Sequence, residues 1–226
     1  MKLIERYLSS TGRCFDIGGA VLSALMRYEK SGEAYAGSAH PQSAGNGSLM
    51  RLAPLALAYA NNPEQAIELS GQMSRTTHGV TVAIDACRYY TALIIGALQG
   101  RSKGELMDDR FNLVEGLWDR QPLVKEIDEV ARGSFQFKHA DEIKGSGYVV
   151  ESLEASLWAF YTTDSFEEGV LAAVNLGDDA DTTGSIYGQL AGAYYDIDSI
   201  PQHWRDKIVS SDLIIDLAEK MMECID

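Results

Sequence analysis

The stretch best equipped for chemistry is Gly177-Asp178-Asp179-Ala180-Asp181-Thr182-Thr183-Gly184, where three carboxylates fall within four positions. At neutral pH they repel one another unless water, a helix N-terminus or a cation neutralises them. A helix is expected from about Thr182 to Tyr195, and acids in its first turn are favourable there. One reading is therefore a charged helix cap. The sharper reading is a hard-cation site. Carboxylates and a hydroxyl suit magnesium or manganese, which tolerate waters or phosphates in the rest of their shell. An EF-hand does not fit. Asp179, Asp181, Thr183 and Gly184 match its positions one, three, five and six, but Leu190 stands where the bidentate glutamate belongs.

Beyond this loop, Gly184, Gly188 and Gly192 recur every four residues on one helix face. A helical glycine costs about 1 kcal/mol relative to alanine, so three in register imply close approach of something. Helix–helix packing is expected at Gly188 and Gly192. At Gly184, beside the acids, a ligand is an equal candidate.

The elements that must position this loop read as helices nearly throughout, with little strand-like alternation. Val149, Val150, Leu153, Leu157, Phe160 and Tyr161 form one apolar stripe at helical spacing, and Ile214, Leu217, Met221 and Ile225 form another. Leu3, Ile4, Tyr7 and Leu8 open the chain with the same spacing and no cap before them. Gly79 to Gln99 reads as a long, mostly buried helix. Asn62-Pro63-Glu64-Gln65 supplies a cap, a proline at the first helical position and a glutamine at the third, while Ser102 with Glu105 and Ser165 with Glu168 are capping boxes. Pro54, inside the apolar run from Leu52 to Tyr59, predicts a kink or a short preceding turn. About ten helices in one domain, 1–226, are expected.

Composition narrows the function. Apolar residues make up 46%, as in a globular chain. A net charge of −14 opposes a nucleic-acid surface but not a small phosphorylated ligand held by a cation or by helix N-termini. No apolar run is read as long enough to span a bilayer, and the N-terminus lacks the apolar core of a signal peptide. Cys14, Cys87 and Cys224 are scattered and odd in number, which points to a reduced, cytoplasmic protein. His40, His139 and His203 have surroundings that suggest surface or structural roles.

Asp179-Ala180-Asp181-Thr182, followed by the helix ending Gln189-Leu190-Ala191-Gly192-Ala193-Tyr194-Tyr195, closely resembles the C-terminal signature of the ADP-ribosylglycohydrolase family. Asp16-Ile17-Gly18, Gly45-Asn46-Gly47-Ser48-Leu49-Met50-Arg51, Thr77-His78 and Gly147-Tyr148-Val149-Val150-Glu151 match further family blocks in the family's order. The resemblance implies a compact, orthogonal all-α fold with a central cleft, and two magnesium ions, manganese in some members. It makes Asp179, Asp181 and Thr182 the C-terminal metal ligands. The substrate is implied to be ADP-ribose carried on a protein side chain or small molecule, cleaved at the glycosidic bond. The metals would place ADP-ribose and a water beside the anomeric carbon, with a carboxylate aiding water or the oxocarbenium charge.

The same resemblance places Asp16 at the cleft, where the residue would otherwise be a helix cap. Asn46, Gly47 and Ser48 belong to a small-residue loop whose amides could meet a diphosphate, the alternative being a turn with an N-cap. His78 falls near the phosphates. Gly147 and Tyr148 fall near the adenosine end, where an aromatic face could stack, the alternative being a core tyrosine at a helix start.

Three departures stand out. The family's N-terminal Thr-Asp-Asp segment, source of the other metal ligands and of a catalytic carboxylate, is not found; Asp108-Asp109 comes too late in the chain. Asp178 stands where the family usually has glycine, and Gly19 where it often has asparagine. The expectation is a family member truncated at its N-terminus through a late start, with impaired hydrolysis. The alternative is a non-catalytic ADP-ribose-binding or protein-interaction module.

Overall fold

The computed structural model describes residues 9–12, 14 and 16–223. Its helices are α1 (Gly19–Ser31), α2 (Ala53–Ala58), α3 (Pro63–Arg75), α4 (Thr81–Leu98), α5 (Lys103–Leu106), α6 (Leu117–Arg120), α7 (Lys125–Ala131), α8 (Val149–Thr162), α9 (Phe166–Val174), α10 (Ala180–Tyr195), α11 (Gln202–Arg205) and α12 (Ser211–Glu223). The fold is all-α, and the described residues contain no strand. Two isolated bridges, Ser38 with His78 and Gly45 with Tyr148, tie loops together instead. The helices exceed the expected ten because α5, α6 and α11 have four residues each, too few to show an apolar period.

The predicted caps form. The Asn62 side chain accepts from Gln65 N (3.3 Å) with Pro63 in the first turn. Ser102 and Glu105 bond reciprocally. Ser165 accepts from Glu168 N, but the Glu168 carboxylate returns to Asp164 N rather than to Ser165, leaving that box half built. The turn before Pro54 is a short 3-10 turn, Leu49–Arg51, leading into α2.

At the centre lies α4, with 13 buried residues of its 18. It packs against α3, α8 and α10, with α2 and α7 adding further walls. By length and mean hydropathy (1.3) it could cross a membrane, contrary to the reading that no run was long enough, yet 72% of it is buried in the protein. An apolar helix enclosed by other helices needs no lipid to explain it. The α8 stripe is core at Val149, Leu153, Leu157 and Phe160, whereas Tyr161 is exposed and sets its ring edge against Phe135 (5.9 Å).

Two expectations about packing reverse. A Cβ on Gly184 would lie 2.9 Å from Val174 Cγ1, so α9 is what comes close there, while Gly188 and Gly192 have open space. The stripe of α12 is not buried among the described residues: the helix buries none of its residues, and Ile214 and Leu217 are half exposed. Leu3, Ile4, Tyr7, Leu8, Cys224 and Ile225 lie outside the described residues.

Candidate functional site

Three loops distant in sequence meet in front of α10. Asn46 N donates to Gly147 O (3.2 Å), Val149 N to Ala44 O (3.0 Å) and Asp179 N to Gly145 O (2.8 Å). The Asn46 side chain ties the three together: its Nδ2 donates to Asp179 Oδ2 (2.7 Å) and to Ser152 Oγ (2.9 Å). Both amide hydrogens are thereby used, which orients one Asp179 oxygen inward and leaves the other without a partner among the described residues. From beneath, α10 fixes the segment that follows the Gly-rich loop. Gln189 donates to Leu49 O (3.0 Å) and accepts from Ala53 N (2.6 Å), and Ser185 donates to Met50 O (3.2 Å).

These loops and the start of α1 enclose a cleft of ≈ 560 Å³. Among the described residues its wall carries Asp16, Asp179 and Asp181 against one cation, Arg51. Asp16 does not cap α1; the N-cap is Gly18, with no side-chain bond. Asp181 is exposed to the cleft and forms no side-chain bond among the described residues. Among the described residues, the only partner of the Thr182 hydroxyl is the Met50 sulfur at 4.0 Å, a weak contact. Asp178 is exposed and holds a left-handed conformation, φ 51°. That explains why glycine suits the position, and Asp is among the few L-residues that tolerate it.

His78 lines the same cleft although its residue is only 2% exposed. Gly45 and Gly47 make room for it, since a Cβ on either would lie 3.3 Å from His78 Nε2. Burial, and then the charge of Arg51, hold its pKa down at about 4, so the ring is neutral at physiological pH. The Gly47 amide, in the cleft wall, donates to no acceptor among the described residues. A free backbone amide in such a wall suits an anion.

Of the expected site residues, Asp16, Asn46, Gly47, His78, Asp179, Asp181 and Thr182 come together in this cleft. Ser48 does not present its side chain there: its hydroxyl is buried against Ser74 Oγ (2.9 Å) and Cys87 Sγ (3.5 Å). Gly147 and Tyr148 line a smaller hollow beside it, with Pro41, Gln42, Ala44 and Gly45. Tyr148 is 39% exposed there and is not a core tyrosine. Sequence reasoning passed over Arg51, Thr77 and Ser152 as site residues, although Arg51 and Thr77 stood inside the matching blocks.

For a hard divalent ion, the fit is one of donor type. Asp179, Asp181 and Thr182 supply oxygens only, leaving the rest of a shell to water and ligand oxygens. No group of three or more His, Cys, Asp or Glu side chains gathers for a metal among the described residues.

An all-helical chain with an acidic cleft at the start of its Gly-rich helix defines a class, and comparison identifies it. The sequence profile of the ADP-ribosylglycohydrolase family matches residues 2–226, and the chain belongs to that family. It is 34% identical over 213 residues to the ADP-ribosylarginine hydrolase Tri1 of Serratia proteamaculans (94% of this chain, 56% of that protein). It is 36% identical over 215 residues to Tri1 of Pseudomonas putida (95% and 56%). With the ADP-ribosyl-[dinitrogen reductase] glycohydrolase of Rhodospirillum rubrum it shares 29% over 198 residues (87% and 61%). A solved structure, an ADP-ribosylglycohydrolase-related protein complex, superposes with a TM-score of 0.81 at 39% identity, covering 92% of this chain and 70% of that one. The chain thus spans a little over half the length of these curated relatives.

Proposed function

We propose that this chain is the cleft-bearing part of a hydrolase that cleaves the glycosidic bond between ADP-ribose and a modified protein side chain or small molecule. The observation that carries the reading is the composition of one cleft: a free amide at Gly47 and a neutral imidazole face a wall of three carboxylates. The first set suits a diphosphate. The second would repel it unless a cation lay between.

That cation, magnesium or manganese, would be held by Asp179, Asp181 and Thr182, and when bound would polarise a water and orient the ribose. The chain's own residues supply the rest. Asn46 keeps Asp179 aimed inward, the Gly45–Gly47 segment leaves room for His78, and Tyr148 offers a ring face at the smaller hollow for an adenine. Positive charge developing on the ribose in an oxocarbenium-like transition state would be stabilised by the carboxylate wall.

With three oxygen donors in place, this chain is proposed to bind ADP-ribose through a metal ion. Calorimetric titration of ADP-ribose with magnesium into the chain, beside an Asp179→Ala/Asp181→Ala variant, tests this. Binding that needs metal and weakens at least ~100-fold in the variant is expected, beyond the effect of losing a residue that only supports a ligand. No binding by the unaltered chain overturns the reading. Metal-dependent binding with no release of ADP-ribose from modified arginine or serine would identify the non-catalytic module instead.

A further inference from the structure

His78 is held by a chain of hydrogen bonds whose direction is fixed at one end. Arg51 Nη2 donates to Thr77 Oγ1 (2.7 Å), and Arg51 Nη1 donates to Gly47 O (2.6 Å). Thr77 Oγ1 lies 2.8 Å from His78 Nδ1. A guanidinium can only donate. Thr77 Oγ1 therefore accepts from Arg51, and its own single proton has one acceptor within reach among the described residues, His78 Nδ1. The opposite arrangement would make Thr77 accept twice and leave its hydroxyl proton, in a buried residue, without an acceptor; such an omission is costly.

We propose that Arg51 and Thr77 are positioning residues that set the tautomer of His78, placing its proton on Nε2 as an uncharged donor aimed into the cleft. Three further observations agree. Nε2 has no hydrogen-bond partner among the described residues and sits beside Gly45 and Gly47, where side chains would obstruct it. The ring's backbone is anchored too, as Ser74 Oγ lies 2.9 Å from both His78 O and Ser48 Oγ. Finally, burial and the charge of Arg51 disfavour protonation of both ring nitrogens. A donor fixed in this way meets an oxyanion without reorganising, whereas the other tautomer would present a lone pair and repel it.

The use of the donor rests on the proposed ADP-ribose site; the tautomer does not, and the two can be separated. Two-bond proton–nitrogen correlation spectra of the imidazole, recorded without ligand, read the tautomer directly. The expected spectrum of the unaltered chain shows protonated Nε2 and an Nδ1 that accepts a hydrogen bond. Thr77→Ser should keep it. Thr77→Val should move Nδ1 to its unbonded position, let an Nδ1–H population appear, and weaken ADP-ribose binding about tenfold, the scale of one lost hydrogen bond. A proton found on Nδ1 in the unaltered chain, or spectra unchanged in Thr77→Val, overturns the proposal. If Thr77→Val does not fold, the unaltered chain and Thr77→Ser decide the matter alone. The expected tautomer in a chain that binds no ADP-ribose upholds the relay and overturns the site reading.

Discussion

Two hollows of this molecule have the same volume, ≈ 560 Å³ each, and almost nothing else in common. The cleft before α10 is walled by carboxylates, an imidazole and an arginine, on loops laced together through Asn46. The groove beside α12 is walled mainly by aliphatic side chains, among them Ile197, Ile200, Ile208 and Ile214, on α12 and the turns before it, none of them buried. Size alone does not mark a site. What separates the two is whether polar groups are held by others: in the cleft, Asn46, Asp179 and Arg51 are oriented by hydrogen bonds to other loops, whereas in the groove the Gln202 side chain bonds Asp206 four residues on.

Substitutions can break or sharpen that contrast. The largest effect is expected at Asn46→Ala, which removes two side-chain bonds and leaves Ser152 and Asp179 without their shared donor. A loss of about 3 kcal/mol in urea unfolding is expected, together with weaker ADP-ribose binding. A loss below 1 kcal/mol would mean that the lacing contributes little. Next comes acid. The folded pKa of His78, about 4, lies below the ordinary value of 6.5, so the unfolded chain takes up the proton first. Its contribution to stability is complete above pH 6.5 and is lost as pH falls toward 4. Roughly 2 kcal/mol is expected, discounted for contact with cleft water. His78→Gln should flatten that part of the pH profile, and an unchanged slope would contradict the assignment. The smallest effect is expected in the groove: Ile214→Ser should change stability by no more than about 0.5 kcal/mol, as at other surface positions, and leave ADP-ribose affinity unchanged. A cost above 2 kcal/mol would show the face to be packed after all.

The sequence disclosed features that neighbours in the chain can express. The cap at Asn62 is legible because its partner is Gln65, three residues on, and α4 is legible because an apolar run of that length has few other uses. The acidic loop announced itself by mutual repulsion. Other features depend on residues brought together only by folding. Whether Ser48 faces the cleft or the interior depends on Ser74 and Cys87. Thr77 and Arg51 are 26 residues apart, and nothing in their local pattern links them. The glycine stripe on α10 misled for the same reason: periodicity reveals a shared face but not what stands opposite, and only Gly184 meets another helix. The α12 stripe has a helical period, yet the helix buries none of its described residues, so amphipathic spacing did not guarantee burial.

The position of α4 in the chain has a consequence for how the protein is made. Its neighbour α3 is synthesised before it, but α8 and α10 follow, and α10 ends 97 residues after Leu98. At ribosomal speeds that is a wait of about 5–20 s. Through that interval the most apolar helix of the protein has only one of its three main walls. The nascent chain therefore depends on early docking of α3 or on chaperone cover, and the acidic loop, which opens the last of those walls, is among the final parts to fall into place.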